Sequence, residues 1–323
     1  MPNYKKNKPD LKVGFAGTPE FACASMAALH DVFGLALVIS QPDRRQGRGK
    51  KLLPSPVKAW ATEQHIPVIT PEKIRQSFDE IQAAQLDLLV VAAYGQIIPQ
   101  RILDLPRLGC LNIHGSILPR FRGASPIASA IAAGDKETGI SYMYMTKGMD
   151  EGPVYRIETI NILAHDTTQS LTNRLADLSQ QTIVSVVKDL ENITPRPQPN
   201  DGIVYAPRLS KQDGMIDWQQ PATVIERHIR AFYPWPKAFS VCGKRLMILE
   251  AQVAQQNHQH LPGTVIEYGA NGLWIAAGNQ TCLQITKCQN EHQKPLPIRA
   301  FFNGNQKQFI PLQSRFDPIN STS

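Results

Sequence analysis

The strongest constraint on the fold of this chain is a series of apolar segments, each about as long as a β-strand. They are LKVGFAG (Leu11–Gly17), LALVIS (Leu35–Ser40), LDLLVVAAYG (Leu86–Gly95) and CLNIH (Cys110–His114). The third is apolar almost throughout, which is typical of a strand buried on both faces of a parallel sheet. Stretches with helical character separate the segments, and this alternation predicts an α/β fold whose doubly wound sheet carries helices on both faces.

Further segments extend this pattern toward the middle of the chain. Proline at the start of PEKIRQSFDEIQAA suits the first turn of a helix, and the leucines of TTQSLTNRLADLSQQTIVSVVKDL recur near one side of another. The predicted elements are a helix from about Ser55, a short strand at Ile66–Thr70, helices over Pro71–Ala84 and Thr167–Leu190, and strands at Ile140–Met145 and Gly152–Ile162. Together they predict a Rossmann-like, mostly parallel sheet.

The pattern changes after the long helix. NITPRPQPNDGIVYAPRLS holds four prolines and few periodic apolar residues, which is typical of a linker. Beyond a short helix at Ala222–Ala231, several alternating segments separated by glycine turns predict a small β-barrel. We therefore expect a flexible N-terminus (1–10), an α/β domain (11–190), a linker (191–209) and a C-terminal β-barrel domain (210–323).

The net charge of +7 is unevenly distributed along the chain. Residues 1–207 hold 22 basic and 20 acidic side chains, a net charge of +2. Residues 208–323 hold 12 and 7, a net charge of +5 in a much shorter segment. Such a surface favours a polyanion such as nucleic acid, although a basic protein with no such partner fits the charge equally well.

Composition narrows the class of protein. Hydrophobic residues make up 42% and charged residues 19%, as in ordinary globular domains. The five cysteines are odd in number and lack a C-x-x-C pair, which argues against a disulfide framework and a zinc site, so we expect no metal. No apolar run reaches membrane-spanning length, and no apolar core of a signal peptide follows MPNYKKNKPD. These features predict a cytoplasmic protein without a membrane partner.

Candidate chemistry lies at the end of the CLNIH segment. Asn112 and His114 are two residues apart, so in a strand both point to the same face. Asp150 lies between Gly148 and Gly152 on a loop that could return over this edge of the sheet. An amide, an imidazole and a carboxylate suit the addition of an amine to a carbonyl carbon, because the oxyanion that forms needs hydrogen-bond donors. Spacing alone leaves open that Asn112 is a turn residue and His114 a hydrogen-bonded core histidine.

Two other loops fall at the same predicted edge. The turn AGTPEF (Ala16–Phe21) contains GFAG, a G-x-x-G pattern and not the G-x-G-x-x-G of dinucleotide sites, so a tight structural turn is the better interpretation. AAYGQIIP (Ala92–Pro99) follows the most apolar strand. It could line one side of a flat ligand or be a plain loop.

With these residues identified, NIHGSILPRFRGASPI and GMDEGPV closely resemble the motifs of the folate-dependent formyltransferases. LKVGFAGTPEFA, QPDRRQGRGKKLLPSPVK and RAFYPWPKAF extend the resemblance over nearly the whole chain. The resemblance implies that Asn112, His114 and Asp150 are catalytic and that 10-formyltetrahydrofolate donates the formyl group, with no metal. It also implies a folate site, formed by Ser116, Ile117, Leu118 and Pro119 with Ala93, Tyr94 and Gly95.

Within that family, the chain resembles the branch with an OB-like C-terminal barrel that formylates initiator methionyl-tRNA. The resemblance assigns tRNA contacts to the basic run after the second strand, formed by Arg44, Arg45, Arg48, Lys50 and Lys51. By itself such a run could equally be a solvated surface loop. The alternatives are a formyltetrahydrofolate hydrolase and a non-catalytic protein that binds tRNA or folate. Nothing in the sequence requires more than a monomer.

Overall fold

The computed structural model describes residues 11–46, 51–256, 258–269, 271–303 and 310–317. The chain forms two compact units. The first comprises the chain up to Gly123, Glu137–Asn161 and Thr172–Ala206, and the second comprises Ala124–Lys136, Ile162–Leu171 and the chain from Pro207 onward. The second unit therefore includes two short segments from inside the region 11–190. The predicted flexible N-terminus, residues 1–10, lies outside the described residues.

Strands and helices are numbered through the whole chain. The strands are β1 (Val13–Gly17), β2 (Leu35–Ile39), β3 (Arg44–Gln46), β4 (Lys51–Leu53), β5 (Val68–Ile69), β6 (Leu88–Ala92), β7 (Cys110–His114), β8 (Arg122–Gly123), β9 (Glu137–Tyr144), β10 (Val154–Asn161), β11 (Tyr205–Ala206), β12 (Ala238–Cys242), β13 (Lys244–Ala254), β14 (Val265–Gly269), β15 (Gly272–Ala276), β16 (Cys282–Asn290) and β17 (Leu296–Pro297). The helices are α1 (Glu20–Phe33), α2 (Pro56–Glu63), α3 (Phe78–Ala83), α4 (Gln100–Leu103), α5 (Pro126–Ala133), α6 (Thr168–Asp189), α7 (Ala222–Ala231) and α8 (Ile298–Asn303), with 3₁₀ turns at Ile74–Ser77 and Gln212–Gly214.

The first unit is built on a seven-stranded sheet in the order β10-β9-β7-β6-β1-β2-β5. The five strands from β7 to β5 are mutually parallel, whereas β9 runs antiparallel to both β7 and β10. Strands β1, β6 and β7 are buried along their whole length, as expected for strands covered on both faces. The prediction of a doubly wound, Rossmann-like and mostly parallel sheet is therefore confirmed.

The order of the strands fixes where loops can meet. The chain runs from β1 outward to β2 and β5, and then returns to β6 and β7 on the other side of β1. Ligands of open α/β sheets bind beyond the carboxyl ends of the strands, near such a reversal. The loops that follow β1, β2, β6 and β7 all leave from this carboxyl edge.

The helix predicted over Pro71–Ala84 is shorter than expected. A 3₁₀ turn covers Ile74–Ser77, and α3 begins only at Phe78. The reason is a distant side chain: Gln96 Oε1 accepts from the Ile74 amide at 2.8 Å, and Gln96 Nε2 donates to the Pro71 carbonyl at 3.0 Å. In a helix beginning at Pro71, its carbonyl would accept from the Arg75 amide, but here it accepts from Gln96, and the first half of the segment is not α-helical.

The basic run forms a hairpin in its described part. Strands β3 and β4 pair antiparallel, with Arg44 opposite Leu53 and Arg45 opposite Leu52. The leucines are exposed, and α2 follows with Ser55 Oγ accepting from the Lys58 amide as an N-cap. Arg48 and Lys50 lie outside the described residues.

The second unit contains an antiparallel sheet in the order β12-β13-β16-β15-β14, with β17 beside β16. The C-terminal segment hydrogen-bonds to both edge strands: the Val265 amide of β14 donates to the Ser314 carbonyl, and the Asp317 amide donates to the Val241 carbonyl of β12. Apolar residues of the strands and of α7 and α8 form one core. The prediction of a C-terminal β-rich domain is confirmed.

Among the described residues, no helix is both long enough and apolar enough to span a bilayer.

Candidate active site

Strand β7 positions the first two predicted site residues. It is hydrogen-bonded between β6 and β9, with Asn112 opposite Val91 on one side and Met143 on the other. The alternation of side chains along the strand puts Asn112 and His114 on the same face at its carboxyl end. Both are buried, with 9% and 5% of their surfaces exposed.

Asp150 approaches both of these side chains from the segment between β9 and β10. Asn112 Nδ2 donates to Asp150 Oδ1 at 3.2 Å, and His114 Nδ1 lies 3.6 Å from Asp150 Oδ2. The backbone amide of Gly123 donates to the same Oδ2 at 2.8 Å. The structure therefore brings together the amide, imidazole and carboxylate that the sequence proposed as a set.

The other ring nitrogen of His114 has its own partner. Nε2 lies 2.9 Å from the carbonyl oxygen of Phe121. A carbonyl only accepts, so Nε2 carries a proton, and in the neutral ring Nδ1 is the unprotonated nitrogen. The Phe121 carbonyl therefore sets the tautomer of His114. Nδ1 is thus the nitrogen that faces Asp150.

The backbone around Asp150 is unusual. Asp150 has φ +50°, a left-handed conformation that costs a residue with a side chain about 1–2 kcal/mol. Two glycines allow the chain to pass closely on either side of the carboxylate. A Cβ on Gly152 would lie 1.8 Å from the Tyr144 carbonyl oxygen, and one on Gly123, where φ is +120°, would lie 2.6 Å from the Ala206 carbonyl oxygen.

The predicted folate segment Ser116–Pro119 is held by internal hydrogen bonds. Ser116 Oγ donates to the Arg120 carbonyl at 2.6 Å. Ser141 Oγ donates to the Ser116 carbonyl at 2.7 Å and accepts from the Leu118 amide at 3.1 Å. Ser116 and Leu118 are buried, and the residues that remain half-buried in this segment are Ile117 and Pro119. The hydroxyl of Ser116 is therefore occupied within the protein.

The second predicted folate segment follows β6. Its Tyr94 ring is 2% exposed and packs in the core, where burial raises the pKa of its hydroxyl to about 12. The Tyr94 carbonyl accepts from Thr18 Oγ1 at 2.8 Å and from Gln41 Nε2 at 3.2 Å. Ala93 and Gly95, which flank it, are exposed and both have positive φ. Their backbone forms the open part of this loop.

The described basic residues Arg44, Arg45 and Lys51 are exposed on the β3–β4 hairpin. Arg44 Nη2 donates to Gln41 Oε1 at 3.2 Å, which connects the base of the hairpin to the Tyr94 loop through Gln41. Asp43, the acid that begins the run, pairs with Lys58 Nζ at 2.7 Å. The hairpin therefore presents positive charge, and the carboxylate that precedes it in the chain is already paired.

Several groups that contact the cluster did not come from the sequence reasoning. The Phe121 carbonyl and the Gly123 amide lie inside the quoted NIHGSILPRFRGASPI motif, but backbone roles leave no composition pattern. Gln198 Nε2 donates to the carbonyls of Asp150 and Gly152, both at 2.8 Å, from the region predicted to be a linker. Gln198 lies between two prolines, and no sequence pattern there indicates a contact with Asp150.

No thiol of β7 competes for a catalytic role. Burial raises the pKa of the Cys110 thiol to about 12, and its Sγ donates to the Leu103 carbonyl. A thiol of that pKa is protonated near neutrality and is a poor nucleophile. Within the described residues, no three His, Cys, Asp or Glu side chains are grouped as metal ligands.

Family models match both parts of the chain. The model described as formyl transferase matches residues 13–187, and the model described as formyl transferase, C-terminal domain, matches residues 208–306. Among solved structures, the sugar 3N-formyltransferase WlaRD, determined in the presence of dTDP and 5-N-formyl-THF, superposes with a TM-score of 0.66 at 19% identity, over 88% of this chain and 99% of that one. HypX from Aquifex aeolicus in complex with tetrahydrofolic acid gives 0.61 at 18% identity, over 96% and 49%. These two likenesses establish the fold.

Curated relatives are much closer in sequence. The methionyl-tRNA formyltransferase of Burkholderia thailandensis is 42% identical over 97% of this chain and 99% of that protein. The enzyme of the same name from Stutzerimonas stutzeri is 43% identical over 93% and 97%. The match confirms the resemblance noted in the sequence motifs, and with the fold and the Asn-His-Asp cluster it establishes that this chain belongs to the formyl transferase family, in the group of the methionyl-tRNA formyltransferases.

Proposed function

We propose that the chain transfers the formyl group of 10-formyltetrahydrofolate to the α-amino group of methionyl initiator tRNA, with Asn112, His114 and Asp150 as the catalytic residues. The observation that carries the assignment is the Asp150 carboxylate, which accepts from Asn112 and lies beside His114 Nδ1. An amide donor, an imidazole and a carboxylate around one point suit direct attack of an amine on a formyl carbon.

The attack creates a negative charge on the formyl oxygen. The nitrogen lone pair of the amine forms the new C–N bond while the carbonyl electrons move to oxygen. Asn112 has two N–H donors and spends one on Asp150, so the other is available to the oxyanion. Because the amide is buried and held by the carboxylate, it stabilises the developing charge without reorganising during the reaction.

Proton transfer falls to Asp150 and His114. After attack, the amine nitrogen carries an excess proton, and the folate nitrogen must gain one before the bond to it breaks. Asp150 Oδ1 accepts a hydrogen bond from Asn112 and Oδ2 accepts one from the Gly123 amide, and each oxygen retains a second lone pair. His114 Nδ1, which faces this carboxylate, can accept a proton from the amine and return it to the folate nitrogen. The products are N-formylmethionyl-tRNA and tetrahydrofolate, with no other reactant.

The donor site is assigned to the two loops that the resemblance indicated. Exposed backbone at Ala93 and Gly95, with the half-buried Ile117 and Pro119, gives a surface of peptide groups and apolar atoms suited to a flat heterocycle.

Recognition of tRNA is assigned to positive surfaces. The exposed Arg44, Arg45 and Lys51 of the hairpin leave from the same sheet edge as the catalytic cluster, as contacts to acceptor-stem phosphates would require. The C-terminal unit, which carries most of the excess charge, is assigned a second tRNA surface, as β-barrels of this type often bind nucleic acid.

Formylation and its two alternatives give different products. Purified protein is incubated with 10-formyltetrahydrofolate and initiator tRNA, either charged with methionine or uncharged, and both N-formylmethionine and free formate are measured. We expect formylmethionine with charged tRNA alone, and little formate in either reaction. Formate at equal rates with both tRNAs would indicate a hydrolase, and no product despite tRNA or folate binding would indicate a non-catalytic protein.

A further inference from the structure

The side chain of Gln198 connects three parts of the first unit around Asp150. Its Nε2 donates to the carbonyls of Asp150 and Gly152. Its Oε1 accepts from Arg122, from Nε at 3.0 Å and from Nη2 at 2.8 Å. The guanidinium belongs to a residue that is 7% exposed and directly precedes Gly123, whose amide holds Asp150 Oδ2.

The chemistry of these partners fixes the orientation of the amide. The two peptide carbonyls only accept, so they require the NH₂ end, whereas a guanidinium only donates and requires the oxygen end. Exchanging the two ends would place acceptor against acceptor and donor against donor. The four contacts therefore specify glutamine by its hydrogen-bonding pattern, and a side chain of the same size would not replace it.

The backbone on both sides of Gln198 is paired to the same region. Val154 and Arg196 exchange two backbone hydrogen bonds at 2.8 and 2.9 Å. Further along, Tyr205 and Ala206 of β11 pair with Arg122 and Gly123 of β8. The segment that the sequence predicted to be a linker is thus fixed beside the start of β10 at one end and beside Gly123 at the other.

We propose that Gln198 is a positioning residue for Asp150, and that Arg122 holds Gln198 in place. Two donated bonds to the carbonyls of residues 150 and 152 keep the loop in its left-handed turn, which aims the carboxylate at Asn112 and His114. Among the described residues, Gln198 has no hydrogen bond with either of those side chains, so its role is to act through Asp150. This assignment rests on the proposed role of Asp150 in formyl transfer.

The sharpest variant is Gln198→Glu. Glutamate keeps the size of the side chain and an oxygen for Arg122, but its ionised carboxylate turns an acceptor toward the two carbonyls. We expect kcat for formylation to fall roughly 10- to 100-fold, as for small misplacements of a catalytic group, with KM for tRNA and folate changed less than about twofold. Gln198→Met removes all four hydrogen bonds of the side chain without adding a charge. It should likewise lower kcat while leaving both KM values nearly unchanged.

The matched control is Gln180→Glu, which makes the same chemical change on the exposed side of α6. We expect its kcat to match that of the wild type. Thermal unfolding and crystal structures of the three variants show whether they are folded and where Asp150 lies. In the Gln198 variants, the carboxylate should move away from Asn112 Nδ2 and the Gly123 amide.

A double-mutant cycle separates positioning from general stability. In an Asp150→Asn background, adding Gln198→Glu should cost less than about twofold, because the carboxylate that Gln198 aims is already gone. An undiminished 10- to 100-fold loss there, or a Gln198→Glu enzyme with wild-type kcat and an unmoved Asp150, would overturn the proposal. If the wild type transfers no formyl group, the proposed function fails, and the position of Asp150 in the crystal structures still decides the positioning role.

Discussion

The proposed catalytic cluster, formed by Asn112, His114 and Asp150, and the basic hairpin lie at the same edge of one sheet but are built in opposite ways. Asn112, His114 and Asp150 are buried or nearly so, and each has a hydrogen-bond partner within the protein. Arg45 and Lys51 of the hairpin are exposed. The contrast matches two tasks, since a transition state requires groups fixed within a fraction of an ångström, whereas phosphates along a flexible partner require accessible charge.

The supports of the two regions differ in the same way. Asp150 is held by groups from three distant segments, those of Asn112, Gly123 and Gln198. Arg44 in the hairpin donates to Gln41, which lies only three residues away. Long-range support makes the cluster sensitive to single substitutions, and local support leaves each hairpin cation largely replaceable.

The largest effect should come from the buried cluster. His114→Ala removes the group that faces the Asp150 carboxylate, and we expect kcat to fall roughly 1,000-fold or more, in the range of lost acid–base and oxyanion groups. Folate affinity, measured by fluorescence or calorimetry, should change little because the imidazole acts mainly in the transition state. His165→Ala, at an exposed position, is the control. Equal losses of folate binding and turnover would contradict this role.

A smaller effect is expected for a substitution in the exposed basic hairpin. Arg45→Ala should raise KM for tRNA several-fold at low salt and lower the slope of log KM against log salt by roughly 0.7–0.9, since one phosphate contact is lost. Its kcat and folate affinity should remain at wild-type values. Arg45→Lys keeps the charge and should recover most of the loss, and Lys188→Ala removes an exposed charge from the end of α6. If Lys188→Ala changed KM for tRNA as much as Arg45→Ala does, the hairpin would contribute only general surface charge and no specific phosphate contact.

The smallest effect concerns stability: a buried histidine of the second unit, His228, should make the free energy of unfolding depend on pH, whereas an exposed histidine should not. Burial lowers the pKa of His228 below its ordinary value of 6.5, while a hydrogen bond with the Gly214 backbone acts in the opposite direction. The unfolded chain therefore binds a proton at a higher pH than the folded one, so the free energy of unfolding falls as pH drops through about 6.5 toward the lowered value. His228→Gln should lessen this fall, followed by urea unfolding between pH 8 and 5.

The control for that measurement is His165→Gln, an exposed residue of the same unit. It should leave the pH dependence of unfolding unchanged. If the wild type and His228→Gln lose stability in parallel over this range, burial of His228 is not its source.

Prediction from the sequence succeeded where a short pattern controls the result. The side-by-side placement of Asn112 and His114 follows from the two-residue period of a strand, and the buried β6 follows from a continuous apolar run. It failed where a group outside the local pattern bonds to the segment. Gln96 bonds the Pro71 carbonyl where an α-helix was predicted, and the Phe121 carbonyl accepts a hydrogen bond from His114 Nε2.

The amino-acid sequence by itself indicated the alternation of strands and helices in the first part of the chain, the family, and Asn112, His114 and Asp150 as candidate site residues, because periodicity and motifs are properties of neighbouring residues. Only the tertiary structure decided which nitrogen of His114 faces the carboxylate, which segments hold Asp150, and that the proline-rich stretch is paired along the first unit. The groups that hold Asp150 lie 27 to 48 positions from it along the chain, and Arg122 lies 76 positions from Gln198. Local composition carries no record of such pairings, since they exist only after the chain has folded.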